Sequence, residues 1–179
     1  MSIDALRRPE QFPSRACDDF CPATIIKSLA TGYVGPSGAA PPPLVLIVED
    51  DVETRQFYKH VLQSVGLRTD EAHNGLQALD KATQEIPDLV LADIAVPGID
   101  GIELCRRLRA DERTRHVPLL AITGYGDRQY EDRARAAGAN HVLSKPSGAD
   151  TVAAEALRLL AAESRRRDHA AASVAHKVV

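Results

Sequence analysis

The chain has no tryptophan, only three phenylalanines and four tyrosines, and a single methionine among its 179 residues. Folding therefore has no tryptophan fluorescence to report it. Long apolar runs are also missing. The longest aliphatic stretch, Leu44 to Val48, is far too short to cross a bilayer. The N-terminus lacks an apolar segment of signal-peptide length, which argues against secretion. Cysteine is scarce: Cys17, Cys21 and Cys105 are odd in number and fit no zinc-ligand spacing, so reduced thiols in the cytoplasm are expected. Charge of one sign is not in excess either. A net charge of −3 disfavours non-specific binding to nucleic acid by the chain as a whole.

What is present is enough for a packed core: 44% of residues are hydrophobic and 26% charged. Residues 1–43 hold seven of the eleven prolines, and four basic residues balance four acidic ones. With the linker-like run from Gly32 to Pro43, this part reads as an extension without a core of its own. From Leu44 the texture changes. Short apolar runs alternate with helical patterns: Leu44 to Val48, Asp88 to Asp93, Val117 to Ile122 and Ala139 to Leu143, with a more polar strand candidate at Leu67 to Ala72. Strands apolar on both faces belong between helix layers, and the polar one belongs at a sheet edge.

The intervening helices have readable ends. Val52, Phe57, Val61, Leu62 and Val65 form a proposed apolar stripe, stopped by Gly66. Asn74 caps a helix to about Glu85. Ile102, Leu104, Cys105 and Leu108 mark the third, and Asp127 to Ala137, ended by Gly138, the fourth. Val152, Ala153, Ala156, Leu157 and Leu160 mark the fifth. The order βαβαβαβαβα predicts an α/β domain over residues 44–162: a doubly wound, five-stranded parallel sheet in the order 2-1-3-4-5, with helices on both faces. The basic tail, residues 163–179 with Arg165-Arg166-Arg167, is expected to fray from the last helix.

In a doubly wound sheet, chemistry gathers beyond the carboxyl ends of the strands. Glu49-Asp50-Asp51 follows the first apolar run, Asp93 the third, Thr123-Gly124 the fourth and Lys145-Pro146 the fifth. Each has an ordinary reading alone: helix-dipole compensation, a turn residue, a strand-end loop. Their joint occurrence at one edge does not. Carboxylates brought together repel and call for a cation, and hard oxygen ligands with room for water suit Mg2+. A carboxylate beside such an ion and a lysine can attack a phosphoryl donor, while a hydroxyl donates to a phosphoryl oxygen.

Leu44 to about Leu160 resembles the receiver domain of bacterial two-component response regulators, chemotaxis-regulator-like and of the single-domain type. The matching residues are Val48-Glu49-Asp50-Asp51, Pro87 to Asp93, Pro97 to Gly101, Thr123-Gly124 and Lys145-Pro146. The intervals Asp50–Asp93, Asp93–Thr123 and Thr123–Lys145, of 43, 30 and 22 residues, agree with that family's layout. The resemblance implies that Asp93 is the phosphoacceptor. It implies Mg2+ held by Asp50, Asp93 and the backbone carbonyl of Ala95, with Glu49 acting mainly through water. Thr123 would move toward the phosphoryl group and Lys145 would pair with it, the Lys145–Pro146 bond being cis. The donor would be a sensor histidine kinase or phosphotransfer protein, the output a change in affinity for a downstream protein. The domain would signal rather than turn over external substrate. Homodimerisation through the helix 4–strand 5–helix 5 face stays open.

Two positions depart from the family pattern. Val142 stands where an aromatic residue usually lies three positions before the lysine, and Ser147 stands where Phe is frequent. Tyr125, two residues after Thr123, is the nearest aromatic in sequence and a candidate for the readout. Val142 also supports a second reading, a phosphorylation-independent adaptor that keeps the fold. A phosphohydrolase of the aspartate-nucleophile type would carry an acid where Ala95 stands. A DNA-binding output is disfavoured by the net −5 of residues 44–160, which hold 14 basic and 19 acidic residues.

Overall fold

A computed structural model describes residues 41–124 and 128–175, with side chains to residue 169. It contains a five-stranded parallel sheet: β1 Leu44–Val48, β2 Arg68–Ala72, β3 Leu89–Asp93, β4 Leu119–Thr123 and β5 His141–Ser144. The spatial order is β2-β1-β3-β4-β5. The connecting helices are α1 Val52–Ser64, α2 Gly75–Gln84, α3 Gly101–Ala110, α4 Arg128–Ala136 and α5 Ala149–Ala175. The predicted architecture and strand order are those observed.

The alternation of side chains along each strand divides the core. Leu46, Val48, Val90, Ala92, Leu119, Ala121 and Val142 point to one face, where they meet Ala78 and Ala82 of α2, Ile102, Leu104, Cys105 and Leu108 of α3, and Ala134 of α4. Val45, Ile47, Leu89, Leu91, Leu120 and Ile122 point to the other, against Tyr58, Val61 and Leu62 of α1 and Val152, Ala156 and Leu157 of α5. β1, β3 and β4 are buried along their whole length, as strands between two helix layers must be. β2 is the polar edge strand.

The helix starts follow their capping residues. Asp51, Asn74 and Asp100 each accept a hydrogen bond from the backbone N–H three residues on, at 2.8, 2.8 and 2.7 Å. Such a cap stabilises a helix by about 1 kcal/mol. At α2 the arrangement is reinforced, since Gln77 accepts from the His73 N–H at 2.9 Å. The expected cap Asp127 lies outside the described residues. Gly66 and Gly138 end α1 and the α4 segment with positive φ, +82° and +104°, as their positions predicted.

Two expectations are corrected. Of the expected stripe of α1, Val61, Leu62 and Val65 face the core, but Val52 and Phe57 are 59% and 42% exposed, and Tyr58, 3% exposed, takes their place. Tyr58, Val61, Leu62 and Val65 fall at i, i+3, i+4 and i+7 on the face that packs on the sheet. The basic segment from residue 163 does not fray at its start: α5 continues through the arginine run to Ala175, and residues 176–179 lie outside the described residues. Its composition is alanine-rich, and Glu155 with Arg158 and Glu163 with Arg167 form same-face ion pairs.

α5 runs the full height of the domain, from the Lys145-Pro146 edge to the opposite pole. There Arg167 reaches Asp88 at 3.5 Å, and the other oxygen of Asp88 accepts the Leu44 N–H at 3.0 Å. At the same pole Arg109 clips three segments together. It donates to the carbonyls of Gly138 (2.8 Å), Val117 (2.7 Å) and Arg115 (3.0 Å), and to Asn140 Oδ1 (2.7 Å).

Candidate functional site

The register of the strands brings their carboxyl ends to one level. Val48 pairs with both Ala72 and Ala92, Asp93 with Ile122, and Thr123 with Ser144. The residues that follow or close these strands therefore converge although they are distant in the chain. Glu49 is 2% exposed and Asp93 7%, whereas Asp50 is on the surface. One carboxylate oxygen from each of the three lies within 4.8 Å of the others.

Lys145 closes the cluster. Its Nζ donates to Glu49 Oε2 and to Asp93 Oδ2, both at 2.8 Å. The Lys145 backbone N–H donates to the Thr123 carbonyl at 2.7 Å, extending the strand pairing beyond β5. The following Lys145–Pro146 peptide is cis, as expected. The second oxygen of Asp93 accepts the Ala95 N–H at 3.2 Å. Thr123 is fully buried at the end of β4.

The electrostatics follow from burial and proximity. Burial pushes the Glu49 carboxyl above its ordinary value; the Lys145 hydrogen bond opposes this, and the charges of Asp93 and Asp50 add to it. For Lys145, burial pulls the ammonium down, but its hydrogen bonds to Asp93 and Glu49 outweigh that and hold it above the usual lysine range. One ammonium among three carboxylates leaves an excess of negative charge. Oxygen-only donors of this kind, graded from buried to exposed, fit a hard divalent cation that keeps part of its water.

The sequence-derived set thus assembles: Glu49, Asp93 and Lys145 touch, Asp50 joins them, and Thr123 and Ala95 flank them. Tyr125 lies outside the described residues. Val142 is 6% exposed and packs in the core on the α2–α3–α4 side, where Tyr130 of α4 also packs. Tyr130 carried no signal in the sequence beyond being aromatic.

One supporting residue was missed, and a second, Gly101, was noted only as part of the Pro97 to Gly101 motif. Arg55, in the second turn of α1, donates through Nη1 to the carbonyls of Glu49 (2.8 Å) and Asp50 (3.2 Å) and through Nε to Glu71 Oε2 (3.3 Å). A basic residue one turn into the helix was the available clue; carbonyl partners leave none. Gly101 opens α3 directly against the end of β3. A Cβ there would collide with the Asp93 carbonyl and come within 2.8 Å of Ile94 Cα.

Comparison with known proteins agrees with this geometry. Residues 45–157 match the family described as response regulator receiver domain. The polar-differentiation response regulator DivK of Brucella anthropi is 36% identical over 105 residues, 59% of this chain and 85% of that protein. The solved structure of the chemotaxis response regulator CheY4 of Vibrio cholerae superposes with a TM-score of 0.63 at 28% identity, over 66% of this chain and 98% of the other. The receiver domain of NtrX from Brucella abortus gives 0.61 at 29%, over 65% and 97%. Among the described residues no helix is long and apolar enough to cross a membrane. A match spanning nearly the whole sheet, and a relative covered over most of its length, lead to one assignment: the chain belongs to the receiver-domain family of response regulators in two-component signalling.

Proposed function

We propose that this domain accepts a phosphoryl group on Asp93 from a sensor histidine kinase or phosphotransfer protein in the cytoplasm, and that the modified domain switches its affinity for a downstream protein. The observation that carries this reading is the Asp93 carboxylate held 2.8 Å from the Lys145 ammonium, beside two further acids. A carboxylate oxygen of Asp93 forms the new O–P bond as the donor's P–N bond breaks, and the leaving imidazole nitrogen keeps the electron pair and takes up a proton. Lys145, already at the acceptor, pairs with the transferred group, and the Thr123 hydroxyl donates to one of its oxygens. Asp50, Asp93 and the Ala95 carbonyl would hold Mg2+ directly, with Glu49 through water, and the ion supplies positive charge against the phosphoryl oxygens.

The adaptor reading is not favoured, because the acids and the lysine are in contact rather than dispersed. The deciding experiment is mass spectrometry of the intact chain after incubation with a small phosphodonor, with and without Mg2+. The expected result is one added phosphoryl group on the wild type with Mg2+ present, and none on Asp93→Asn. Equal labelling of the two proteins refutes the assignment.

A further inference from the structure

Arg55 lies outside the phosphoacceptor set, yet its guanidinium is fastened to the acidic loop at two points and to the sheet edge at a third. Nη1 meets the carbonyls of Glu49 and Asp50, and Nε meets Glu71 of β2. Glu71 is itself held by Lys59 at 2.7 Å and Gln56 at 3.0 Å, so the anchor is tied to α1 from three sides. The Arg55 side chain is only 14% exposed.

Both carbonyls belong to the residues whose carboxylates face Asp93. The peptide unit is planar and its C=O and N–H point opposite ways, so holding two successive carbonyls fixes two successive peptide planes. Fixing those planes fixes the direction in which the Asp50 side chain leaves the backbone. Asp50 has no side-chain hydrogen bond among those described, and it sits on the surface; the backbone beneath it is what limits where its carboxylate can go. The guanidinium meets the two carbonyls from Nη1 and Glu71 from Nε, two donors held apart in one rigid plane, whereas an ammonium offers all its N–H groups from a single atom.

We propose that Arg55 is a positioning residue for divalent-ion binding: by clamping the Glu49 and Asp50 carbonyls onto Glu71, it holds the Asp50 carboxylate in register with Asp93. The inference rests on the phosphoacceptor reading for its purpose, but its test is independent of phosphorylation. Groups that orient the ligands of a metal, without touching it, commonly change affinity about 10- to 100-fold when removed.

The test is isothermal titration of the full unphosphorylated chain with Mg2+ alone, for wild type, Arg55→Ala and Arg55→Lys. Arg55→Ala should weaken Mg2+ binding about tenfold or more, and Arg55→Lys by a smaller factor, since it can hold only part of the clamp. At saturating Mg2+, phosphodonor labelling of Asp93 in the variants should return to the wild-type rate. A purely structural loss would lower the folded fraction without altering the dissociation constant of what remains folded. Unchanged Mg2+ affinity in Arg55→Ala overturns the proposal. If that variant does not fold, wild-type affinity in Arg55→Lys overturns it just as well. Absence of labelling in the wild type, with metal binding still sensitive to Arg55, would refute the phosphoacceptor reading and leave this one standing.

Discussion

Lys145→Met removes the ammonium that sits between Glu49 and Asp93 while keeping an unbranched side chain of similar length. The two carboxylates it separates are 2% and 7% exposed. Two unit charges 4.8 Å apart, the outer limit of this cluster, repel by about 3.5 kcal/mol at an effective dielectric constant of about 20. Breaking a buried pair by removing one partner typically costs about 3–5 kcal/mol, and the partial exposure of Lys145 lowers the expectation to about 2–4 kcal/mol at pH 7 without divalent ions. That is a large share of a typical domain's stability.

The pH dependence gives the prediction its sign. Glu49 already has a raised pKa, chiefly through burial, and losing the lysine hydrogen bond raises it further. A carboxyl raised in the folded state contributes stability that is fully present below its ordinary value of 4.5 and lost as pH climbs through the folded value. Lys145 is also raised, so its stabilising contribution is full below 10.5 and level across neutral pH. The deficit of Lys145→Met should therefore shrink steadily from pH 7 toward pH 5, and Mg2+ should shrink it at pH 7. Urea denaturation followed by circular dichroism measures it, since tryptophan is lacking. A deficit below about 1 kcal/mol at pH 7, or one that grows on acidification, refutes the reasoning.

Two further outcomes test the scaffold. Gly101→Ala should destabilise the domain by more than about 2 kcal/mol, because the new Cβ meets backbone of the Asp93 turn that has no side-chain freedom to yield; thermal melting of the variant checks this, and a wild-type melting temperature would contradict it. Arg109→Ala leaves three carbonyls and one amide oxygen without their cationic donor, and should cost about 3 kcal/mol or more in urea while leaving Mg2+ affinity of the folded protein unchanged.

Most of this architecture was legible because it rests on patterns with a short reach. β1, β3 and β4 are apolar on both faces, and only a sheet covered on both sides accommodates that. The polar β2 sequence could sit nowhere but the edge. The first part of α1 was less legible, because Val52 and Phe57 are apolar yet the face that packs Tyr58, Val61 and Leu62 on the sheet leaves them outside. The helical continuation past Leu160 was hidden by its charge: the arginines read as a tail until Glu163 is seen to lie one turn from Arg167 on the same helical face. In the site, strand-end positions were enough to gather Glu49, Asp50, Asp93 and Lys145. What they could not convey was that one ammonium would bind two acids at once, or that Arg55 would spend its donors on carbonyls. Backbone acceptors are the same at every residue, so they leave no trace in composition.

The double engagement of Asp88 has a mechanical consequence. One of its oxygens receives the chain as it enters β1 and the other meets the helix by which the chain departs. The entry to β1 and the C-terminal part of α5 are thus tied to one carboxylate, and the depth of the sheet separates that tie from Asp93. A substitution at Asp88 would therefore loosen the first strand and the last helix together while leaving the acidic cluster at the other end of the sheet untouched.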